Sequence, residues 1–69
     1  SHAYIVELKY LKPDATEEAA LKQWDEAVEQ IRGYGEGKAV RVLSGKAALH
    51  LIVVQIKGCS LYRMDEVNF

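Results

Sequence analysis

AYIVELKYL, residues Ala3 to Leu11, is dense in β-branched, aromatic and aliphatic side chains and reads as a strand. Successive side chains on a strand point to opposite faces. Tyr4, Val6, Leu8 and Tyr10 therefore form one apolar face, while Ala3, Ile5, Glu7, Lys9 and Leu11 form the other. A surface strand shows one plainly polar face. This one does not, so the expectation is a strand covered on both sides.

Moving outward, Pro13 closes the strand and Asp14 is expected to cap a helix, with Glu17 at the capping-box position. Glu17 and Glu18 also suit the positive end of a helix dipole. The helix is expected over about residues 15–34. At roughly 100° per residue, Ala20, Leu21, Trp24, Ala27, Val28 and Ile31 share one stripe, which makes Trp24 a core residue. Glu18, Lys22, Asp25, Glu26, Glu29 and Arg32 lie opposite, and Gln23, Gln30 and Tyr34 line one border of the apolar stripe. Gly33, Gly35 and Gly37 are expected to end the helix through the left-handed backbone that glycine tolerates.

Residues 38–44 fit a short strand or one or two helical turns equally well. LHLIVVQIK, residues Leu49 to Lys57, is a near-continuous apolar run, as expected of a strand buried on both faces. Gly58-Cys59 reads as a hairpin turn, and a more polar strand over about residues 60–67 follows at the sheet edge. The expected fold class is α/β, in the order β-α-(short α or turn)-β-β. It has a small mixed sheet and one long amphipathic helix. Strand, crossover helix and buried strand imply a parallel pair, and the hairpin adds an antiparallel neighbour.

The chain has 69 residues, 49% hydrophobic and 28% charged, with a net charge of −1. That composition is globular, and its charge balance carries no signature of nucleic acid or an anionic membrane. A single core of this size rarely supplies more than ~3–5 kcal/mol without a staple. Cys59 is the only cysteine, so no internal disulfide forms and a reduced, cytoplasmic setting is expected. The longest run free of Asp, Glu, Lys and Arg, residues 47–56, is too short to span a bilayer, so no membrane partner is expected. Ser1-His2 in place of Met reads as a tag remnant (residues 1–2) ahead of one truncated domain, residues 3–69.

Several motifs fail on spacing or context. GYGEGK lacks the P-loop pattern, since Arg32 stands where a glycine is needed and Ala39 where Ser or Thr follows the lysine. His50 sits between two leucines with no Cys or His at ligand spacing, and reads as structural. Cys59 reads as an incidental thiol. Glu7 and Lys9 differ, because two residues apart on a strand they share a face at roughly 6–7 Å. A carboxylate there can hold a divalent metal, and an ammonium beside it can orient a water and stabilise developing negative charge. An ordinary ion pair on a partly exposed strand is the alternative.

In combination, the strand YIVELK, the Pro/Asp break and a long helix ending EQIRGY resemble the PD-(D/E)XK nuclease superfamily. The hallmark E-x-K is here Glu7-Leu8-Lys9, and the Q-x-x-x-Y of the RecB-like branch is here Gln30 to Tyr34. More narrowly, the chain resembles the nuclease-like domain found behind an AAA-type ATPase domain in bacterial proteins, many from Bacteroidetes. The resemblance covers about residues 3–67. It implies a fragment of the restriction-endonuclease-like fold, with Glu7 as a Mg²⁺ ligand helped by the Leu8 carbonyl. Lys9 would be the catalytic lysine, and Gln30 and Tyr34 would support the site or touch nucleic acid. The family's first half, which ends in a metal-binding Asp, has no counterpart here. The resemblance is therefore to the C-terminal half, expected to hold Mg²⁺ poorly and to cleave nothing alone.

Two functions follow as expectations. One is metal-dependent phosphodiester hydrolysis by an intact parent. The other is a non-catalytic α/β interaction or dimerisation module, since fold alone does not fix function. The first strand has a free apolar edge in either case, so a homodimer is expected, through that edge or through an exposed sheet face.

Overall fold

A computed structural model describes residues 1–37, 45 and 47–68. The order is β1 (His2–Leu11), α1 (Glu17–Glu36), β2 (Ala48–Lys57) and β3 (Ser60–Val67). These strands form one sheet in the order β1-β2-β3. β1 runs parallel to β2, and β3 returns antiparallel beside it. The architecture is the α/β class expected: a small mixed sheet with one long helix. The ambiguous stretch, residues 38–44, lies outside the described residues.

The turn after β1 changes where the helix starts. Ala15 N–H donates to the Lys12 carbonyl at 3.0 Å, so Pro13 and Asp14 are spent in a turn. Thr16, not Asp14, is the N-cap: its hydroxyl accepts from the Ala19 amide at 3.1 Å. The far end also differs from expectation. Helix α1 continues through Gly33 and Gly35 to Glu36, because a glycine inside a helix costs only about 1 kcal/mol relative to alanine. Gly37 then caps it in extended backbone at φ −65°, with its N–H on the Tyr34 carbonyl at 3.1 Å. No left-handed residue is used there. That conformation appears instead at Gly58 (φ 63°), the first residue of the two-residue hairpin loop between β2 and β3.

One row of the helix packs on one row of the sheet. Trp24, Ala27 and Ile31 meet Leu51, Val53 and Val67, with Ile5, Val28 and Leu49 around them. Leu21, assigned to the stripe by periodicity, is 54% exposed. The buried row runs Ala20, Trp24, Ala27, Ile31 and Gly35, which leaves Leu21 one step outside it.

The largest correction concerns the strand faces. Helix α1 covers the β1 face that carries Ile5, Glu7 and Lys9. The apolar face is left open: Tyr4, Val6, Leu8 and Tyr10 are all exposed. Register explains the choice, since Ile5, Glu7 and Lys9 stand beside Leu51, Val53 and Gln55. Those three β2 residues are fully buried under α1. The expectation that β2 is buried on both faces fails for the same reason, as Ile52, Val54 and Ile56 on its other face are only half-buried.

Candidate active site

The E-x-K pair sits at the border between α1 and the outer strand. Glu7 and Lys9 point to the helix side of β1, and Lys9 Nζ lies 3.3 Å from Glu7 Oε1. Their side chains are 20% and 26% exposed, sheltered but in reach of water. A pair this accessible contributes only about 0–1 kcal/mol to stability. Lys9 Nζ also donates to Gln30 Oε1 at 2.9 Å. The helix border residue picked out by periodicity therefore reaches the E-x-K lysine across 21 positions of sequence. Tyr34, one turn further along α1 from Gln30, is 52% exposed.

The direction of the Leu8 carbonyl follows from the ladder. Carbonyls along a strand alternate between its two edges. Ser1 and Leu11 direct theirs to the β2 side, onto the Ala48 and Gly58 amides at 3.0 Å. Pairing from His2 to Leu11 has no register break, so even-numbered carbonyls, Leu8 included, face the free edge. The Tyr10 carbonyl follows this rule and accepts from Gln23 Nε2 at 3.0 Å. Glu7 and the Leu8 carbonyl thus offer oxygen donors at adjacent positions on an open strand edge.

Those two donors do not complete a magnesium site. Mg²⁺ takes six oxygens, commonly one or two carboxylates with waters and substrate phosphate. Among the described residues, no group of three or more His, Cys, Asp or Glu gathers to hold a metal. The donor set fits one side of a Mg²⁺ site, with a second acid required from elsewhere.

The sequence reading passed over Gln55, which is fully buried and stands beside Lys9 in the ladder. Its Nε2 donates to the Ala20 carbonyl at 2.8 Å and to Gln23 Oε1 at 3.1 Å. Gln23 in turn holds the Tyr10 carbonyl, so a chain of two amides ties α1 to the free edge of β1. Gln55 Oε1 is buried with no hydrogen-bond partner among the described residues. The available signal was a lone amide inside LHLIVVQIK, in a run otherwise read as core.

His50 and Cys59 both lie apart from the Glu7–Lys9 pair, and the fold brings His2, distant in sequence, onto His50. The His50 ring stacks on Tyr4 at 4.8 Å and sits 3.2 Å from Glu66 and 2.7 Å from His2, on the face away from Glu7. Cys59 is an exposed free thiol in the hairpin. Among the described residues no helix is long and apolar enough to cross a membrane.

Comparison with curated proteins and with solved structures gives no match. The profile of the PD-(D/E)XK nuclease superfamily matches residues 1–66, nearly the whole chain. With the E-x-K strand, the helix glutamine on its lysine and the α/β order in hand, the chain belongs to the PD-(D/E)XK nuclease superfamily.

Proposed function

We propose that this chain is the C-terminal half of a Mg²⁺-dependent phosphodiesterase domain, active on nucleic acid in an intact parent that also carries an ATPase domain. The observation that supports it best is the Lys9 ammonium held between Glu7 and Gln30 at 3.3 and 2.9 Å. In this reading the Glu7 carboxylate and the Leu8 carbonyl would hold one side of Mg²⁺. The bound ion supplies charge stabilisation to the attacking and leaving oxygens of an in-line displacement. Lys9 orients the attacking water and offsets negative charge as it develops on the phosphoryl oxygens. Gln30 restrains the ammonium by accepting a hydrogen bond from one of its three N–H groups. Tyr34, exposed one turn away, would touch the nucleic-acid backbone. With a single carboxylate at the site, the chain alone is expected to bind Mg²⁺ weakly and to cut nothing.

The test uses the parent protein, labelled DNA and RNA, and Mg²⁺ or Mn²⁺. Cleavage is expected, and it is expected to disappear in both Glu7→Ala and Lys9→Ala. A parent that cuts neither nucleic acid, or variants that keep cutting, would overturn the proposal. The open apolar sheet face favours a second reading, a non-catalytic interaction module. A parent that assembles normally and never cleaves supports that one.

A further inference from the structure

The one carboxylate of the Glu7–Lys9–Gln30 cluster faces a cation of the chain's own, the Lys9 ammonium at 3.3 Å. That ammonium has two unequal acceptors. A charge-assisted N–H···O bond runs about 2.7–2.9 Å, so at 3.3 Å the ammonium only leans on Glu7. To Gln30 Oε1 it is 2.9 Å, a full hydrogen bond. Lysine only donates, so the oxygen of the Gln30 amide is the end that must face it. The ion pair is also in reach of water, with side chains 20% and 26% exposed, and a pair so exposed holds by about fivefold at most. Glu7 and Gln30 stand on different elements, β1 and α1, so the ammonium can leave one without losing the other.

We infer that Lys9 is a built-in competitor for the divalent cation at Glu7, and that Gln30 is the positioning residue that draws it off. The inference rests on the proposed Mg²⁺-dependent reading and deepens it. An ammonium and a divalent ion seek the same carboxylate oxygens, and two cations side by side repel. Lys9 therefore yields its contact with Glu7 when that carboxylate takes a divalent cation. It keeps its bond to Gln30, a neutral acceptor that leaves the full positive charge beside the site, available to a phosphoryl oxygen. Two opposite effects follow. Without the ammonium, Glu7 is open from the start and divalent affinity rises. Without the Gln30 acceptor, the ammonium settles wholly on Glu7 and divalent affinity falls. A lysine that acts only on the attacking water, or a glutamine that only holds α1 to β1, produces neither effect.

Mn²⁺ titration of the intact parent, without nucleotide or nucleic acid and followed by the electron paramagnetic resonance of the free ion, tests the inference. The site of interest is the one that Glu7→Gln removes. Lys9→Met, which keeps an unbranched stem, is expected to bind Mn²⁺ about fivefold tighter or more there, while cleavage disappears. Gln30→Leu is expected to bind about fivefold more weakly, the worth of one hydrogen bond. Added to Lys9→Met, Gln30→Leu is expected to change Mn²⁺ affinity no further, because its effect runs through the ammonium. Lys9→Gln and Gln30→Met stand in for any variant that far-UV circular dichroism shows to be unfolded. Absence of any site that Glu7→Gln removes would overturn the nuclease reading and this inference together. A Glu7-dependent site that Lys9→Met leaves unchanged or weakens would overturn this inference alone. So would a site that Gln30→Leu leaves unchanged, or weakens equally with and without Lys9.

Discussion

Gln55 offers a sharp test because the sign of the effect depends on a single atom. Its Nε2 makes two hydrogen bonds, to the Ala20 carbonyl and Gln23 Oε1, while its Oε1 is buried without a partner among the described residues. In Gln55→Met the two bonds are lost, at about 1 kcal/mol net each. Against this, the orphaned acceptor disappears, which returns about 1–3 kcal/mol. Replacing the amide by thioether adds roughly another 1 kcal/mol of apolar burial. The Ala20 carbonyl keeps its place in the helix ladder, and Gln23, only part-buried, rehydrates. The terms cancel to within about 1 kcal/mol, with a slight lean toward stabilisation. Gln55→Glu should behave oppositely at neutral pH, since its carboxylate would be buried facing two acceptor oxygens. A cost of at least about 3 kcal/mol is expected, most of what a domain this size has. Burial raises the folded pKa of that introduced carboxyl above its unfolded value of ~4.3. Stability of the variant is therefore fully present below ~4.3 and falls as pH rises toward and through the folded value. Urea denaturation of each variant between mildly acidic and neutral pH measures both effects. A loss of about 3 kcal/mol in Gln55→Met would refute the reasoning, because it would mean that Oε1 has a partner or that the amide chain itself holds the fold.

Other outcomes follow from the same geometry. Glu7→Gln is expected to change stability by less than about 1 kcal/mol while eliminating cleavage by the parent, a split that urea titration and a nuclease assay together reveal. Trp24→Ala should cost about 3–5 kcal/mol, since it empties the core and removes the ring under the Arg63 guanidinium at 3.9 Å. Leu21→Ala, on the same predicted stripe but exposed, should stay within about 1 kcal/mol by thermal or chemical denaturation. Gly58→Ala forces a side chain into φ 63° and against Pro13 Cγ at 3.4 Å, at a cost of about 1–2 kcal/mol, read as a lowered urea midpoint.

What was legible in the sequence was whatever depends on neighbours along the chain. Alternation in AYIVELKYL placed Glu7 and Lys9 on one face, and a period of 3.6 placed Trp24, Ala27 and Ile31 on one stripe with Gln30 at its border. The hairpin at Gly58 and the parallel then antiparallel strand order were legible for the same reason. Local chemistry misled at the helix ends. Asp14 looks like a cap until the Lys12–Ala15 turn is formed, and the glycines look like a stop although the helix passes through two of them.

The sequence by itself determined which residues travel together; the tertiary structure decided which way each set faces. A strand pattern is symmetric between its two faces, so nothing in AYIVELKYL says whether α1 covers the apolar row or the row with Glu7 and Lys9. Register with β2 settles it: Ile5, Glu7 and Lys9 stand beside Leu51, Val53 and Gln55, the row that Trp24 and Ile31 bury. That same alignment brings Gln30 onto Lys9, seats Gln55 under the helix, and turns Tyr4, Val6, Leu8 and Tyr10 outward. Register is a contact between residues more than forty positions apart, and no local period encodes it.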